Sequence, residues 1–493
     1  MSEAVKGRTA RIGATRLTAI VATLGPASAD EATLGRLVDA GMDVARLNFA
    51  HGDHETHSRT IQTLRRVAED RGRFVAILQD LAGPKIRLRT PGGKAVPVEP
   101  RGSVRLGADL GAPSAGLATT YPGLVADAAV GQPILFGDGA VRMRVAAKEA
   151  DHLRLESEDA GTLEDGMGVN LPETAIRAPS VTEKDWRDLE WGLSHGVDFV
   201  GLSFVRSASD VAAVRRRIRE AGAAAHVIAK IEKPQALDAL DAILEEADGV
   251  MVARGDLGVE MDVARVPIIQ KDIIRRAAVA GVPVITATQM LQSMIHEPRP
   301  TRAEVSDVAN AVFDGSDALM LSGETAVGSD PVRAVEMMDH IIDLAEDYAQ
   351  ASRWPAPVGA ADRYVWSERA IVVGAAGIAR DLGVALVVAL THSGATALLL
   401  SKQWLGVPIL GVSDSVDTCR RMALYRGVLP VLHPDIIGNE NLAAAVEGLA
   451  RRRKLVDEGD RVLIISGQFP GRPGGTDTLR VHTVSAPKGR DAS

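Results

Sequence analysis

The chain lacks the features that mark secreted and membrane-spanning proteins. Among its 493 residues only Cys419 is a cysteine, which excludes an internal disulfide framework and is typical of a reducing compartment. No apolar run reaches the roughly 18–20 residues that a membrane span requires. The polar N-terminus, MSEAVKGRTARIGATR, lacks the apolar core of a secretion signal. We therefore expect a cytoplasmic protein that has no membrane partner.

Net positive charge is also absent. The formal charge is −8 and the pI is near 5.8. Such a chain has no general attraction for the phosphate backbone of a nucleic acid or for anionic lipid, and we expect neither as a partner. Apolar residues make up 46% of the sequence, which is enough for several hydrophobic cores and suggests about three domains.

Eight short apolar runs alternate with segments of helical periodicity. The runs cover residues 20–25, 43–49, 75–81, 198–204, 226–232, 249–256, 283–289 and 318–324. Between them, segments such as 182–193, 234–247 and 266–280 carry the helical pattern, the first with Thr182 as a candidate N-cap. Strand–helix alternation predicts parallel strands, and eight units are the number that closes a (β/α)8 barrel. An open sheet of eight strands is the alternative.

Two regions interrupt or follow this pattern. Residues 85–178 carry glycine and proline punctuation and short alternating runs, which predict a small β barrel inserted after the third strand. A linker broken by proline and glycine, residues 353–363, precedes a further α/β pattern. The predicted domains are an N-terminal segment (1–17), the barrel (18–84 and 179–352), the β insert (85–178) and a C-terminal α/β domain (353–493).

The predicted barrel strands end in polar residues. The C-terminal ends of barrel strands meet at one mouth, where the active sites of such folds lie. The residues at these ends are Thr23, Arg46, Asn48, Asp80, Ser203, Lys230, Glu232, Arg254, Asp256, Thr286, Thr288, Ser322 and Glu324. One charged pair alone could be a buried salt bridge without further role. Convergence from eight strands favours a functional site.

The charges at this mouth indicate its chemistry. Glu232 and Asp256 offer oxygen ligands without histidine or thiolate, which suits Mg²⁺, with Mn²⁺ as a substitute. Arg46 and Lys230 would neutralise phosphoryl oxygens, the first by a planar fork and the second as a point charge. Thr288 would hold a water molecule or a carboxylate. Together they predict phosphoryl chemistry assisted by a metal ion.

Longer motifs carry a family resemblance. The runs TAIVATLGPAS, GMDVARLNFAHG, GPKIRL, AKIEKPQAL, MVARGDLGVE, ATQMLQSMI and PTRAEVSDVANAVFDGSDALMLSGETAVG resemble pyruvate kinases, and the likeness extends from about Leu17 to Val484. The resemblance implies transfer of a phosphoryl group from phosphoenolpyruvate to ADP, giving pyruvate and ATP, as the last step of glycolysis. It also implies that the insert is a lid, that the C-terminal domain is regulatory and that the protein is a homotetramer.

Matching positions carry roles over from the family. Arg46 would grip the phosphate of phosphoenolpyruvate, and Lys230 would stabilise the phosphoryl group during transfer. Glu232 and Asp256 would hold Mg²⁺. Thr288 would lie near the methylene carbon that is protonated, by a donor that the sequence does not identify.

Further roles follow from the same resemblance. Gly255 would form, with Asp256, a backbone turn beside the substrate carboxylate. Asn48, His51 and Arg87 would lie towards the nucleotide, beneath the closing lid. The histidines of HGDHETH (51–57) suggest zinc, but their place in a loop and a first helical turn argues against it.

One departure from the family pattern concerns potassium. Many pyruvate kinases hold K⁺ with an asparagine, a serine, an aspartate and a threonine. Asn48 and Asp80 remain here, but Ala50 and Leu81 replace the other two ligands. Lys85 stands where K⁺-requiring relatives carry a glutamate, and its ammonium could replace the cation. We predict an enzyme that does not require K⁺, the alternative being that Lys85 is a solvated hinge residue.

A second site is predicted in the C-terminal domain. The turn THSGAT (391–396) and the glycine-rich loop 467–481 would together cradle the phosphate of an effector, a sugar phosphate or a nucleotide. The predicted effector residues are Thr391, Ser393, Gly394, Thr396, Arg472 and Gly475. The alternative is a plain helix start beside a tight hairpin.

Two rival functions share some of these sequence features. The first is another barrel enzyme that handles an enolate of pyruvate with Mg²⁺, such as an aldolase or a phosphomutase. The ARLNF and GPKIRL motifs and the lid argue against it. The second is a catalytically silent homologue that only binds an effector, against which the intact residues Arg46, Lys230, Glu232, Asp256 and Thr288 argue.

Overall fold

The computed structural model describes residues 16–108, 116–351, 366–436, 441–467 and 475–486. The predicted linker and most of the predicted N-terminal segment lie outside these ranges. The first elements in the described part of the chain are three strands that alternate with two helices: β1 (Ala19–Leu24), α1 (Glu31–Asp39), β2 (Val44–Asn48), α2 (His54–Asp70) and β3 (Ala76–Asp80). Asp30 and Asp53 cap the two helices, since their side chains accept hydrogen bonds from backbone N–H groups of the first turns.

The insert follows β3. Its elements are β4 (Leu88–Arg89), β5 (Val96–Val98), β6 (Ser103–Gly107), β7 (Leu117–Thr119), α3 (Leu124–Asp127), β8 (Pro133–Phe136), β9 (Val141–Lys148), β10 (His152–Ser157), β11 (Gly161–Leu163) and β12 (Val169–Asn170). Seven strands pair in the order β12-β8-β9-β10-β6-β7-β4, and β11 pairs with β5. A bridge between Arg87 and Gly168 and a hydrogen bond from Leu88 N–H to the Met167 carbonyl join the two ends of that order. The insert therefore closes on itself, as predicted.

The large barrel is completed after the insert. Its remaining elements are α4 (Glu183–Ser194), β13 (Phe199–Leu202), α5 (Ala208–Glu220), β14 (His226–Ile231), α6 (Pro234–Asp238), α7 (Leu240–Glu246), β15 (Gly249–Ala253), α8 (Arg254–Glu260), α9 (Val266–Ala280), β16 (Val284–Ala287), α10 (Arg302–Asp314), β17 (Ala318–Leu321), α11 (Gly323–Ala326) and α12 (Pro331–Ala351). All eight predicted strands form a closed parallel barrel, β1-β2-β3-β13-β14-β15-β16-β17. The open-sheet alternative is wrong. Thr182 caps α4 as predicted, whereas the helix predicted over 234–247 is broken at Ala239 into α6 and α7.

The barrel strands alternate between two cores. One set of residues, including Val21, Val44, Leu78 and Ile228, packs inside the barrel, whereas their neighbours pack against the surrounding helices. The alternation has a period of two residues. Arg46, Asp80 and Lys230 each come two residues after one of these inward-facing residues. Their side chains therefore also point inwards, at the mouth of the barrel.

A five-stranded sheet forms the C-terminal domain. Its elements are α13 (Trp366–Leu382), β18 (Leu386–Leu390), α14 (Ala395–Ser401), β19 (Ile409–Ser413), α15 (Val416–Met422), β20 (Val428–Leu432), α16 (Leu442–Arg452), β21 (Arg461–Gly467) and β22 (Thr476–Thr483). The strand order is β20-β19-β18-β21-β22, and only β22 runs antiparallel to its neighbour. A buried ion pair between Lys402 and Asp317 joins this domain to the barrel. Within the described ranges, no helix has both the length and the hydrophobicity needed to cross a membrane.

Candidate active site

The mouth of the barrel is organised around Asp80. The Nε atom of Arg46 donates a hydrogen bond of 2.7 Å to Asp80 Oδ2, and Lys230 Nζ lies 3.2 Å from Oδ1. The Asp80 carboxyl is almost fully buried. Burial alone would raise its pKa, but the charges of Lys230 and Arg46 hold that pKa below its usual value. Asp80 is therefore an ionised carboxylate between two cations.

Lys230 is surrounded by oxygen atoms. Its Nζ donates to Ser203 Oγ at 2.8 Å and lies 2.9 Å from Glu232 Oε1, in addition to its contact with Asp80. Burial lowers the pKa of Lys230, but the negative charges of Asp80 and Glu232 outweigh burial and raise it. The side chain is thus a charged ammonium with three oxygen atoms within 3.2 Å of Nζ, of which Ser203 Oγ accepts a hydrogen bond.

Glu232 and Asp256 form the acidic side of the mouth. Glu232 Oε2 accepts a hydrogen bond of 2.7 Å from the backbone N–H of Phe204. Burial raises the pKa of Glu232 to about 7, with Lys230 opposing this shift and the charge of Asp256 adding to it. Two carboxylates that repel one another in this way are suited to share a cation.

The donor set fits Mg²⁺. The described residues contain no group of three or more His, Cys, Asp or Glu side chains that could hold a metal ion by themselves. Mg²⁺ is commonly held by one or two carboxylates and completes its shell with phosphate oxygens and water. Glu232 and Asp256 match that requirement. Among the histidines of HGDHETH, the ring of His57 stacks on Phe49 at 4.3 Å, and its Nε2 lies 3.0 Å from the His51 carbonyl oxygen.

Thr288 is held in an uncommon backbone conformation. Its φ is +69°, in the left-handed region that β-branched residues rarely adopt. The Thr288 side-chain oxygen accepts a hydrogen bond of 2.8 Å from Gly255 N–H. Arg254 donates to the carbonyls of Ala287 and Thr288 at 3.2 and 2.6 Å and pairs with Asp307. The guanidinium of Arg254 thus fixes the segment that presents Thr288.

Three of the polar side chains at strand ends have local partners outside the group around Asp80. Arg254 makes the contacts just described and is not part of the group around Asp80. Thr286 Oγ1 lies 2.7 Å from Ser316 Oγ. The Glu324 carboxylate accepts hydrogen bonds from the backbone N–H groups of Leu291 and Ser322. The position of a residue at a strand end does not show whether its polar atoms are already hydrogen-bonded to neighbouring groups. Thr23, by contrast, accepts a hydrogen bond of 2.9 Å from Arg46.

The predicted nucleotide residues lie on both sides of the mouth. Asn48 ends β2, where its Oδ1 accepts a hydrogen bond of 3.1 Å from Ala50 N–H. His51 is exposed in the following loop. Arg87 belongs to the insert, and its guanidinium donates to the Gly166 carbonyl at 3.2 Å.

Sequence reasoning missed a cation beside that loop. Lys184, in the first turn of α4, donates a hydrogen bond of 2.8 Å to the carbonyl of Phe49, and its Nζ also pairs with Asp188. A lysine in the first turn of a surface helix is too common to be recognised from the sequence. Only the fold brings Lys184 to the loop that carries His51.

A small cleft of about 40 Å³ separates the insert from the barrel. Its lining includes Lys85, Asn170, Phe204, Lys233 and Asp256. The sequence placed Lys85 near the potassium-ligand positions Asn48 and Asp80. In the structure, Lys85 lies at the base of the insert and lines the same cleft as Asp256.

The predicted effector segments meet. Thr396 Oγ1 and Thr476 Oγ1 lie 2.8 Å apart, which brings the THSGAT turn against the start of β22 beside Gly475. Gly394 has a φ of +89°, and its N–H donates to Thr391 Oγ1 at 3.0 Å. Ser393 is exposed, whereas Thr391 and Thr396 are buried. Arg472 lies outside the described residues.

Two family models and several known proteins match the chain. Residues 15–335 match the model described as "Pyruvate kinase, barrel domain" and residues 369–482 that described as "Pyruvate kinase, alpha/beta domain". A pyruvate kinase of Geobacillus stearothermophilus is 43% identical over 477 residues, which cover 95% of this chain and 81% of that protein. One from Staphylococcus aureus (strain MRSA252) is 41% identical over 488 residues, or 95% and 80% of the two proteins. The crystal structure of a pyruvate kinase from Cryptosporidium parvum has a TM-score of 0.88 at 33% identity and covers 96% of this chain and 97% of that one.

Proposed function

The chain belongs to the pyruvate kinase family, and from this premise we propose how its own residues carry out the reaction. It is a phosphotransferase that acts on phosphoenolpyruvate and ADP and forms pyruvate and ATP. The position of Lys230 carries the assignment of roles. Near the C-terminal end of β14, its ammonium faces Asp80, Ser203 and Glu232.

Lys230 and Arg46 are the phosphoryl-binding cations of this proposal. A transferring phosphoryl group spreads its charge over three oxygens, so catalysis rests on positioning and on charge neutralisation. Lys230 exchanges one of its three oxygen contacts for a phosphoryl oxygen. Arg46 presents its planar fork to the phosphate while Asp80 and Thr23 hold that fork in place. Asp80 also keeps the charge of the mouth balanced before substrate binds.

Pyruvate kinases need Mg²⁺, and Glu232 and Asp256 would hold it here. When bound, the ion would supply positive charge that neutralises phosphoryl oxygens, and Mn²⁺ could take its place. Gly255 and Asp256 open α8 beside Thr288, whose oxygen binds the Gly255 N–H. In the proposal this turn receives the substrate carboxylate, and Thr288 lies towards the methylene carbon.

The nucleotide would lie between the mouth and the lid. Asn48 and His51 approach it from the barrel and Arg87 from the insert, and Lys184 adds a positive charge beside the His51 loop. The lid excludes water from the reaction when it closes. Lys85, in the cleft with Asp256, would supply the positive charge that K⁺ provides in other pyruvate kinases, so that K⁺ is not required.

We also propose a regulatory site, an oligomeric state and a location for the protein. The contact between Thr396 and Thr476 supports a phosphate-binding effector site that includes Gly475 and the exposed Ser393. A homotetramer is proposed from the family membership. The single cysteine suits a reducing compartment, such as the cytoplasm.

A coupled assay tests the activity directly. The purified chain is supplied with phosphoenolpyruvate, ADP and Mg²⁺, and pyruvate is followed through the oxidation of NADH by lactate dehydrogenase. We expect Mg²⁺-dependent turnover that disappears when ADP is omitted. Pyruvate release that does not require ADP would contradict phosphoryl transfer.

A further inference from the structure

The insert is fastened to the barrel at both of its connecting segments. On the incoming side, the N–H of Gly83 donates a hydrogen bond of 3.1 Å to Asp185 Oδ1. On the returning side, Asp185 Oδ2 accepts from Thr182 N–H at 2.9 Å, and Arg206 donates to the Ala178 carbonyl at 2.7 Å. These contacts hold the two connecting segments, which form the hinge of the insert. The orientation of the insert depends on contacts that lie further from this hinge.

One such contact lies beyond the hinge. Asn170, the last residue of β12, donates a hydrogen bond of 2.8 Å from Nδ2 to Oε1 of Glu260, which belongs to the barrel. Glu260 is only 5% exposed. Lys233 donates to the same Oε1 atom. The second oxygen, Oε2, is buried and makes no hydrogen bond with any residue that the structure describes. Asn170 and Lys233 therefore share one carboxylate oxygen.

Glu260 also connects the segments that carry the proposed Mg²⁺ ligands. It is the last residue of α8, the helix whose first turn contains Asp256. Its partner Lys233 directly follows Glu232 in the chain. A single buried carboxylate thus links the lid strand to both sides of the metal site. Asn170, Lys233 and Asp256 all line the cleft between lid and barrel.

We propose that Glu260 is a positioning residue that holds the lid in its docked orientation through Asn170. The inference rests on the proposed place of the nucleotide beneath the lid. A hydrogen bond to a charged acceptor in a buried site changes an equilibrium by roughly ten-fold to a hundred-fold. Because the lid is a closed β barrel, a contact at β12 fixes the orientation of the whole domain over the cleft.

The Asn170→Asp variant tests this proposal. It keeps the shape of the side chain, removes the donor and places a second negative charge beside Glu260. We expect kcat/KM for ADP to fall about ten-fold or more, mainly through a higher KM, with kcat within about three-fold and Tm within a few degrees of the parent. Arg89→Ala is the matched control, since it breaks an exposed ion pair with Asp165 inside the lid. This control should stay within about two-fold of the parent.

A charge swap distinguishes positioning from a purely structural role. In the double variant Asn170→Asp/Glu260→Gln, the donor and the acceptor exchange places, and kcat/KM for ADP should recover to within about three-fold of the parent. If Asn170→Asp fails to fold, Asn170→Ala removes the donor without adding charge and should give the same split between KM and kcat.

The outcomes separate this inference from the assigned activity. An unchanged KM for ADP in Asn170→Asp, or a loss that the swap does not restore, would overturn the role of Glu260. Absence of ADP-dependent turnover in the parent would instead overturn the assigned activity.

Discussion

The charged atoms of Asp80 and Lys230 are 3.2 Å apart although their strands, β3 and β14, are not neighbours in the barrel. Strand β13 lies between them, and its Gly201 is paired with Asp80. A Cβ atom at Gly201 would lie 3.2 Å from Asp80 Oδ1. The glycine therefore leaves the space through which the carboxylate meets the ammonium, and the Asp80–Lys230 contact spans three strands.

Asp80→Asn should lower kcat by at least about ten-fold. The substitution leaves Arg46 and Lys230 without their shared counter-ion, so the two cations repel one another and lose their orientation. Steady-state kinetics with both substrates at saturation measures the effect. The exposed insert residue Asp159 provides a matched control as Asp159→Asn, which should behave as the parent. A kcat within three-fold of the parent would show that Asp80 does not organise the mouth.

The same carboxylate predicts a pH dependence of stability. The folded-state pKa of Asp80 lies below its usual value of 3.8. The ionised group therefore stabilises the fold at pH values above that usual pKa, and this contribution is lost as the pH falls through the lowered pKa. The difference in Tm between parent and Asp80→Asn should shrink as the pH falls below about 4. A difference that grows on acidification would contradict the sign of the shift.

The predicted independence from K⁺ can be tested by changing the monovalent cation of the assay buffer. With Na⁺ or tetramethylammonium as the only monovalent cation, we expect the parent to reach nearly the activity it shows in K⁺, because the Lys85 ammonium is always present. Lys85→Glu should lose activity in K⁺-free buffer. Activation of the parent by more than about ten-fold on adding K⁺ would show that the site still requires the ion.

Ser393→Asp tests the effector site. A fixed negative charge in the THSGAT turn should repel the phosphate of an effector and leave the distant barrel mouth unchanged. We expect basal turnover within two-fold of the parent and loss of activation by sugar phosphates and AMP. The saturation curve for phosphoenolpyruvate, measured with and without each compound, gives the result. If none of these compounds shifts the curve of the parent, the allosteric proposal is wrong.

The fold was largely predictable because its apolar runs are short and regularly spaced. Six of the eight barrel strands, such as Ala19–Leu24, consist entirely of buried residues, and eight such runs in alternation with helices leave few other arrangements. The break at Ala239 was not predictable, since residues 234–247 carry an uninterrupted helical pattern. Tertiary packing overrides local propensity there.

The site was predictable only in part. The positions of Arg46, Asp80 and Lys230 at the ends of predicted strands identified them without any contact information. The partners of Arg254 and Glu260 could not be predicted from the sequence. Asp307 is 53 residues from Arg254 in the chain, and Asn170 is 90 residues from Glu260. Polar residues at strand ends were all candidates for the mouth, and only the folded backbone shows which of their atoms are already bonded.

The central claim is that the barrel mouth around Lys230 transfers a phosphoryl group from phosphoenolpyruvate to ADP. The most direct measurement compares kcat for pyruvate formation in the parent, in Lys230→Met and in the control Lys94→Met, an exposed lysine of the insert. Loss of a charge contact in a buried site costs about 3 kcal/mol or more, so Lys230→Met should fall at least a hundred-fold with its fold intact, while Lys94→Met keeps the activity of the parent. A folded Lys230→Met variant that forms pyruvate within ten-fold of the parent would contradict the claim.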